Sequence, residues 1–430
     1  MALTKKSLVS LLWIYFIIFW GTGFKDFIPM SIRTPISLIL FMAGFIYAFK
    51  SWSHSLKKID LAIFTITILI PIVCSIQAYR IFHQPIFMGI ASLRSIWIIL
   101  LVYVLKNKIN TNTLIHKICN FTLLMMILDI ILLYIFDIDN IKLSSLTSTG
   151  DDIVDKTSLV ENELRGKRLA FGCEFIIVAM AWWSYCAYTF KDKIAIRKMI
   201  FTIIFTMFVS KGRIQLVTMA LIWVLPYLIN FNYKSFKKIL SYAILTILIL
   251  FSLPAVRQRF IVIGDLFGVS NSAKTGDFSG VARLNEVLLA FPYIKDSPIF
   301  GSGNISYHFN NGFEGCLGDY FFVADIGIVG MIFIGGLFLC LSYLWLFISC
   351  SKYNFKKHTT QHLFVKICCI IYSFLPFMGL VPLIGENIQI MTILLLGCFS
   401  LPQHSQKTIF NRDDNGCKYS NRQLQHQALT

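Results

Sequence analysis

The sequence predicts an all-α integral membrane protein of about twelve transmembrane helices, with both termini on the inner side and one large outer loop between the ninth and tenth spans. Four observations predict it. Of 430 residues, 56% are hydrophobic and only 14% are charged, against about 25% charged in soluble domains. Mean hydropathy is +0.70, more apolar surface than a single soluble core can hide. The apolar residues also come in runs near the ~20 residues that a spanning helix needs. Lys and Arg gather in every second loop between those runs, as the positive-inside rule requires.

In chain order, the apolar runs place spans at about 8–24, 31–49, 60–78, 86–105, 119–136, 169–190, 199–210, 214–230, 239–254, 320–349, 363–382 and 386–401. The seventh and twelfth are short for a full crossing, and the tenth is long enough to tilt. The first run lacks an A-x-A cleavage site and reads as a retained span. Residues 1–402 thus form one polytopic domain with outer loops at 137–168 and 255–319, and 403–430 form a polar inner tail.

The formal charge of +17 is distributed in a way that excludes nucleic acid as a partner. It falls in short clusters on the expected inner loops: Lys5 and Lys6; Lys50, Lys57 and Lys58; Lys106, Lys108 and Lys117; Lys191, Lys193, Arg197 and Lys198; Lys234, Lys237 and Lys238; Lys352, Lys356 and Lys357. Such clusters orient a membrane protein and touch anionic headgroups, so membrane lipid is the implied partner. No basic stripe with interleaved aromatics occurs. Most of the eleven cysteines lie in apolar runs, where they pack as small apolar side chains. No spacing suggests a metal site or a cofactor motif. Cys173 and Cys316 both fall on the outer side, where a disulfide is open to them, although free thiols are the commoner state.

The outer loops and their borders carry the candidate chemistry. Lys211 and Arg213, in the tight turn Ser210-Lys211-Gly212-Arg213, sit between two apolar runs with almost no polar cushion. They read either as snorkelling interfacial cations or as a pair set to hold a phosphate, a task suited to the planar guanidinium fork. Arg283 opens a pattern of Leu284, Val287, Leu288 and Phe291 at helical spacing, which predicts an amphipathic helix on the interface, broken by Pro292 and Pro298. Arg165, Lys167 and Arg168 flank the sixth span, with a plain charge flank as the alternative. Arg257 and Arg259 share that ambiguity, while Arg33 and Arg94 lie within apolar runs. Carboxylates near the outer ends of spans are Glu174, Asp319, Asp325 and Glu386, and each can also serve only as an arginine's partner. His308 is the one histidine of the long loop. Ser297-Pro298-Ile299-Phe300-Gly301-Ser302-Gly303 allows a tight turn at Gly301 and Gly303 whose N–H groups can face an anion.

The order of these features resembles the O-antigen polymerase and ligase superfamily of bacterial inner membranes, including the Wzy-type polymerases. The features are the Ser-Lys-Gly-Arg turn between spans, a large outer loop with Arg283 and Asp296-Ser-Pro-Ile-Phe-Gly-Ser-Gly303, and a long span opening Asp325-Ile-Gly-Ile-Val-Gly330. The resemblance covers the topology of the whole chain, and its specificity lies in about 205–335. It implies a bacterial inner-membrane protein with cytoplasmic termini and a periplasmic active site. The implied enzyme is a metal-independent, cofactor-free glycosyltransferase whose donor is an undecaprenyl-pyrophosphate-linked oligosaccharide. Carried over by position, Arg213 and Arg283 hold the leaving pyrophosphate, assisted by Lys211, Arg168 and Arg165. A chain-length regulator and a flippase are its implied partners.

One departure matters. Ligases of the superfamily carry a histidine in a His-Asn segment ahead of the Gly-Ile-x-Gly span. That position falls here near Cys316, and His308 lies too far upstream. The expectation is therefore a polymerase that joins repeat units into O-antigen, capsule or exopolysaccharide, with Asp319 and Glu314 as candidate bases. The alternatives are a ligase transferring glycan to lipid A core, or a flippase. Against the flippase, the unusual features cluster in the second half, without the paired breaks of an internal repeat.

Overall fold

The computed structural model describes residues 5–54, 56–106, 108–140, 167–230, 278–318, 321–357 and 362–378. Among these, helix is the only regular structure. In order they form α1 (Lys5–Trp20), α2 (Met30–His54), α3 (Lys58–Phe82), α4 (Ile86–Ser92), α5 (Arg94–Leu105), α6 (Thr111–Tyr134), α7 (Ile176–Phe190), and α8 (Lys193–Phe205) with a π-turn at Thr206–Ser210. There follow α9 (Arg213–Ile229), α10 (Phe278–Asp296), α11 (Gly312–Leu317), α12 (Gly327–Lys357) and α13 (His362–Phe374).

Four of these helices are long and apolar enough to cross a membrane: α2, α3, α6 and α12. The pair α4–α5 makes a fifth if it counts as one span bent by 55°. Four shorter apolar helices, α1, α7, α9 and α13, accompany them. The chain is a multi-pass membrane protein. The expected spans at 239–254 and 386–401, with Glu386, lie outside the described residues, as do Arg257 and Arg259.

Several elements differ in detail from the sequence expectation. The run 86–105 is broken at Leu93, leaving Arg94 exposed at the bend. The helix expected from 169 begins only at Ile176, because 167–175 enters as irregular chain. Pro292 does not break α10, which continues to Asp296. Pro292 lies on the exposed side of that helix. Cys173 and Cys316 are both free thiols.

One buried apolar core joins the helices. In the first half α2 packs on α5 and α3 on α12; in the second, α7 packs on α6, α8, α9 and α13. The long helix α12 also receives α10 and α13, so it connects the two groups. It is interrupted at Gly336, whose φ of 62° and ψ of −162° no helix allows. That interruption positions the candidate site.

Candidate active site

At a helix break, carbonyls lose their intrahelical partners and must bond elsewhere. In α12 they bond to the Ser297–Gly303 segment. The N–H of Ser302 donates to the Phe333 carbonyl at 2.6 Å and that of Gly303 to Ile334 at 2.9 Å. In return the N–H groups of Leu337 and Phe338 donate to Pro298 and Ile299 at 3.0 and 2.9 Å. The loop therefore threads through the break backbone to backbone. A Cβ on Gly301 would lie 2.6 Å from the Gly335 nitrogen, and one on Gly303 2.3 Å from the Cys74 carbonyl oxygen of α3. These two glycines permit close approach, and the N–H groups of Gly301, Ser302 and Gly303 are spent on protein carbonyls.

The same loop is held from the first half of the chain. Gln84, fully buried just beyond α3, accepts the Ser306 N–H at 2.6 Å and donates to the Asn304 carbonyl at 3.1 Å. Asn304 Nδ2 donates to Ser92 Oγ of α4 at 3.0 Å. Both ends of the threaded loop are thus fixed before α10 is considered.

Helix α10 lies against α12 with an unusual choice of face. Leu284, Leu288 and Phe291 are exposed, whereas Glu286 and Ala290 are buried, at 1% and 0% exposure. Of the stripe read from sequence, Leu284, Leu288 and Phe291 face outward while Val287 packs against the core, and the Glu286 carboxylate faces the protein. Glu286 Oε1 accepts the Phe322 N–H at 3.2 Å. Its Oε2, and the Nε of Arg283 one turn earlier, are buried atoms without a hydrogen-bond partner among the described residues. Burial pushes the Glu286 carboxyl up to about 7, with the negative Asp325 adding to the rise. The Phe322 N–H and the positive Arg283 act the other way. A cation and a carboxylate side by side, each with an unspent bonding position, are the pattern of a site awaiting a polar ligand.

A second cluster surrounds the Ser210–Arg213 turn. Lys211 takes the left-handed conformation at φ 54°, an uncommon choice for a non-glycine residue. Ser210 Oγ donates to Gln215 Oε1 at 2.9 Å and accepts the Gly212 N–H at 3.4 Å. Arg213 is the first residue of α9, so it stands at the positive end of that helix. The segment carrying Lys167 and Arg168 packs directly on this turn, with the Leu169 N–H donating to the Val209 carbonyl at 3.2 Å. Lys167 pairs with Asp137 at the surface.

The sequence-derived candidates therefore fall into two groups. Lys211, Arg213 and Arg168 share one loop cluster. Arg283 heads the other, with Gly301 and Gly303 in its scaffold. Glu314 and His308 are exposed, on α11 and just before it. Glu174 is engaged elsewhere, accepting the Gly23 N–H at 2.9 Å. Arg165, Asp319 and the side chain of Arg213 lie outside the described residues. Two residues were missed by sequence reasoning. Neither Glu286 nor Gln84 belonged to a motif that marked it.

Residues 199–344 match a family model described as O-antigen ligase. Over those residues the chain is similar to that family, which supports the O-antigen polymerase and ligase superfamily. The matched segment begins in α8 and ends in α12, and so includes the 210–213 turn, Arg283, Glu286, the threaded loop and the break at Gly336. No curated protein matches the chain.

Proposed function

We propose that the chain is an inner-membrane polymerase that joins lipid-diphosphate-linked oligosaccharide repeat units into O-antigen, capsule or exopolysaccharide, at a site facing the periplasm. The observation that carries this reading is the buried, unpartnered Arg283 Nε beside Glu286, inside the matched segment that also holds the Lys211–Arg213 turn.

The chemistry follows from charge. An acceptor sugar hydroxyl attacks the anomeric carbon of the donor glycan. The new C–O bond forms as the bond from that carbon to the diphosphate oxygen breaks, and the electron pair leaves with the lipid diphosphate. Arg283, Arg213 and Lys211, with Arg168 and Arg165 alongside, meet that charge as it develops. Fixed cations in a poorly hydrated site stabilise a transition state strongly. The hydroxyl proton passes to Glu286. Its raised pKa of about 7 suits a base that works near neutrality, and its free Oε2 supplies the position for the proton. Glu286 takes the role that Asp319 or Glu314 was expected to fill. The lipid diphosphate is already activated, so no nucleotide is consumed.

The family description favours a second reading, transfer of finished glycan to lipid A core by a ligase. Its absence of a histidine at the expected place near Cys316 supports the polymerase instead. Deleting the chain separates the readings. Loss of a polymerase leaves single repeat units on the surface lipid, loss of a ligase leaves bare core with lipid-linked polymer accumulating, and loss of a flippase leaves bare core without it.

A further inference from the structure

A second polar feature lies one span away from the candidate active site. Helix α3 covers 25 residues from Lys58 to Phe82, a length of about 37 Å at 1.5 Å per residue. Gln84, just beyond one end, holds the 304–306 loop. At the other end a cavity of about 440 Å³ opens among Lys50, His54, Lys57, Asp60, Lys106 and Lys108.

The cavity is built. Asp60 is 2% exposed and both its oxygens are engaged: Oδ1 accepts the Tyr103 hydroxyl at 2.6 Å and Oδ2 the Lys57 N–H at 3.0 Å. Trp52 Nε1 donates to that same Tyr103 hydroxyl at 2.9 Å, which fixes the floor between α2, α3 and α5. Lys106 Nζ donates to Ser51 Oγ at 3.1 Å and stands 5.2 Å above the Tyr103 ring. Lys108 Nζ stands 5.3 Å above the Tyr47 ring. Four lysines from three segments therefore line one opening around a single carboxylate.

Lysines at the C-terminal ends of α2 and α5 are partly explained by the helix dipole. The dipole does not explain their convergence on a shared cavity. Beside the opening, α2 presents Ile39, Met42, Ile46 and Phe49 at spacings of three and four residues, all exposed. An apolar strip that leads into a basic cavity has the outline of a lipid with its headgroup docked.

We propose that this cavity binds a phosphate-bearing anion, either the headgroup of an anionic lipid whose chains lie along α2 or free phosphate. The proposal is independent of the glycosyltransferase reading. It is tested on the purified full-length chain in detergent, by native mass spectrometry during titration with phosphatidylglycerol, phosphatidylcholine or inorganic phosphate. Phosphatidylglycerol is expected to bind about tenfold more tightly than phosphatidylcholine. The double variant Lys50→Gln/Lys108→Gln should lose that preference, while Lys193→Gln/Arg197→Gln, with the same change in net charge at the start of α8, should keep it. Displacement of phosphatidylglycerol by millimolar inorganic phosphate would identify free phosphate as the ligand; resistance would identify the lipid. Equal binding of the two lipids with no phosphate bound, or equal loss in both double variants, would overturn the proposal.

Discussion

The N–H of Phe322 donates to Glu286 Oε1 at 3.2 Å, which ties the carboxylate of α10 to the segment leading into α12. This bond uses one oxygen and leaves the other open, so Glu286 can be fixed in place and still reactive. Substituting Glu286 by Gln keeps an acceptor for Phe322 but removes the base. We expect Glu286→Gln to accumulate normally and to lower the rate of glycan transfer by about 10²–10⁴-fold. Transfer measured on purified lipid-linked substrate checks this.

The same residue predicts a pH dependence. Glu286 is raised from 4.5 in the unfolded chain to about 7 in the fold. Between those values the folded state holds the proton more tightly, so this group's stabilising contribution is complete below about pH 4.5 and is lost as pH rises through about 7. Activity follows the opposite sign, since a base must be ionised, and should rise through pH 7. In Glu286→Gln the activity step near pH 7 and the fall in stability across the window should both vanish, as read by a rate profile and by melting temperature.

Backbone geometry at the α12 break gives a purely structural prediction. A Cβ on Gly336 would lie 2.2 Å from the Ile299 carbonyl oxygen, at a φ of 62°. Gly336→Ala should destabilise the protein by about 2 kcal/mol or more and free the Ser297–Gly303 loop to early proteolysis. Gly318→Ala, also at positive φ but with nothing within 4 Å, should cost about 1 kcal/mol.

Gln84→Ala would leave the buried Ser306 N–H without its acceptor, at a cost of about 1–3 kcal/mol. By contrast, the Lys167–Asp137 pair joins side chains that are 52% and 56% exposed. Asp137→Asn should change stability by less than about 1 kcal/mol. Thermal unfolding of the two variants in the same detergent makes the comparison.

The legible part of the fold was its helices. The runs 119–136 and 169–190 declare helices because lipid leaves the backbone no alternative, although the helices themselves span Thr111–Tyr134 and Ile176–Phe190. The left-handed turn at Lys211 and the helix carrying Arg283 are where the sequence placed a turn and a helix. The break at Gly336 was not legible. Gly335 and Gly336 sit in an unbroken apolar run, and only a loop some thirty-five residues earlier in sequence, at Ile299, requires the kink. Glu286 was hidden because its burial depends on what covers that side of the helix. Periodicity reports which residues share a side of α10, but the neighbour that covers that side is chosen by tertiary packing on α12. The Pro298–Gly303 segment was read as an anion turn, yet its N–H groups serve the carbonyls of the broken helix.

The central claim is that Arg283 and Arg213 hold the leaving diphosphate, and polymer length in single-residue variants tests it most directly. Arg283→Ala and Arg213→Ala, at normal protein level in cells lacking the native chain, should each abolish the surface glycan ladder. Arg283→Lys should restore little, because an ammonium cannot reproduce the two-pronged bond of a guanidinium. Normal ladders in both alanine variants would contradict the account.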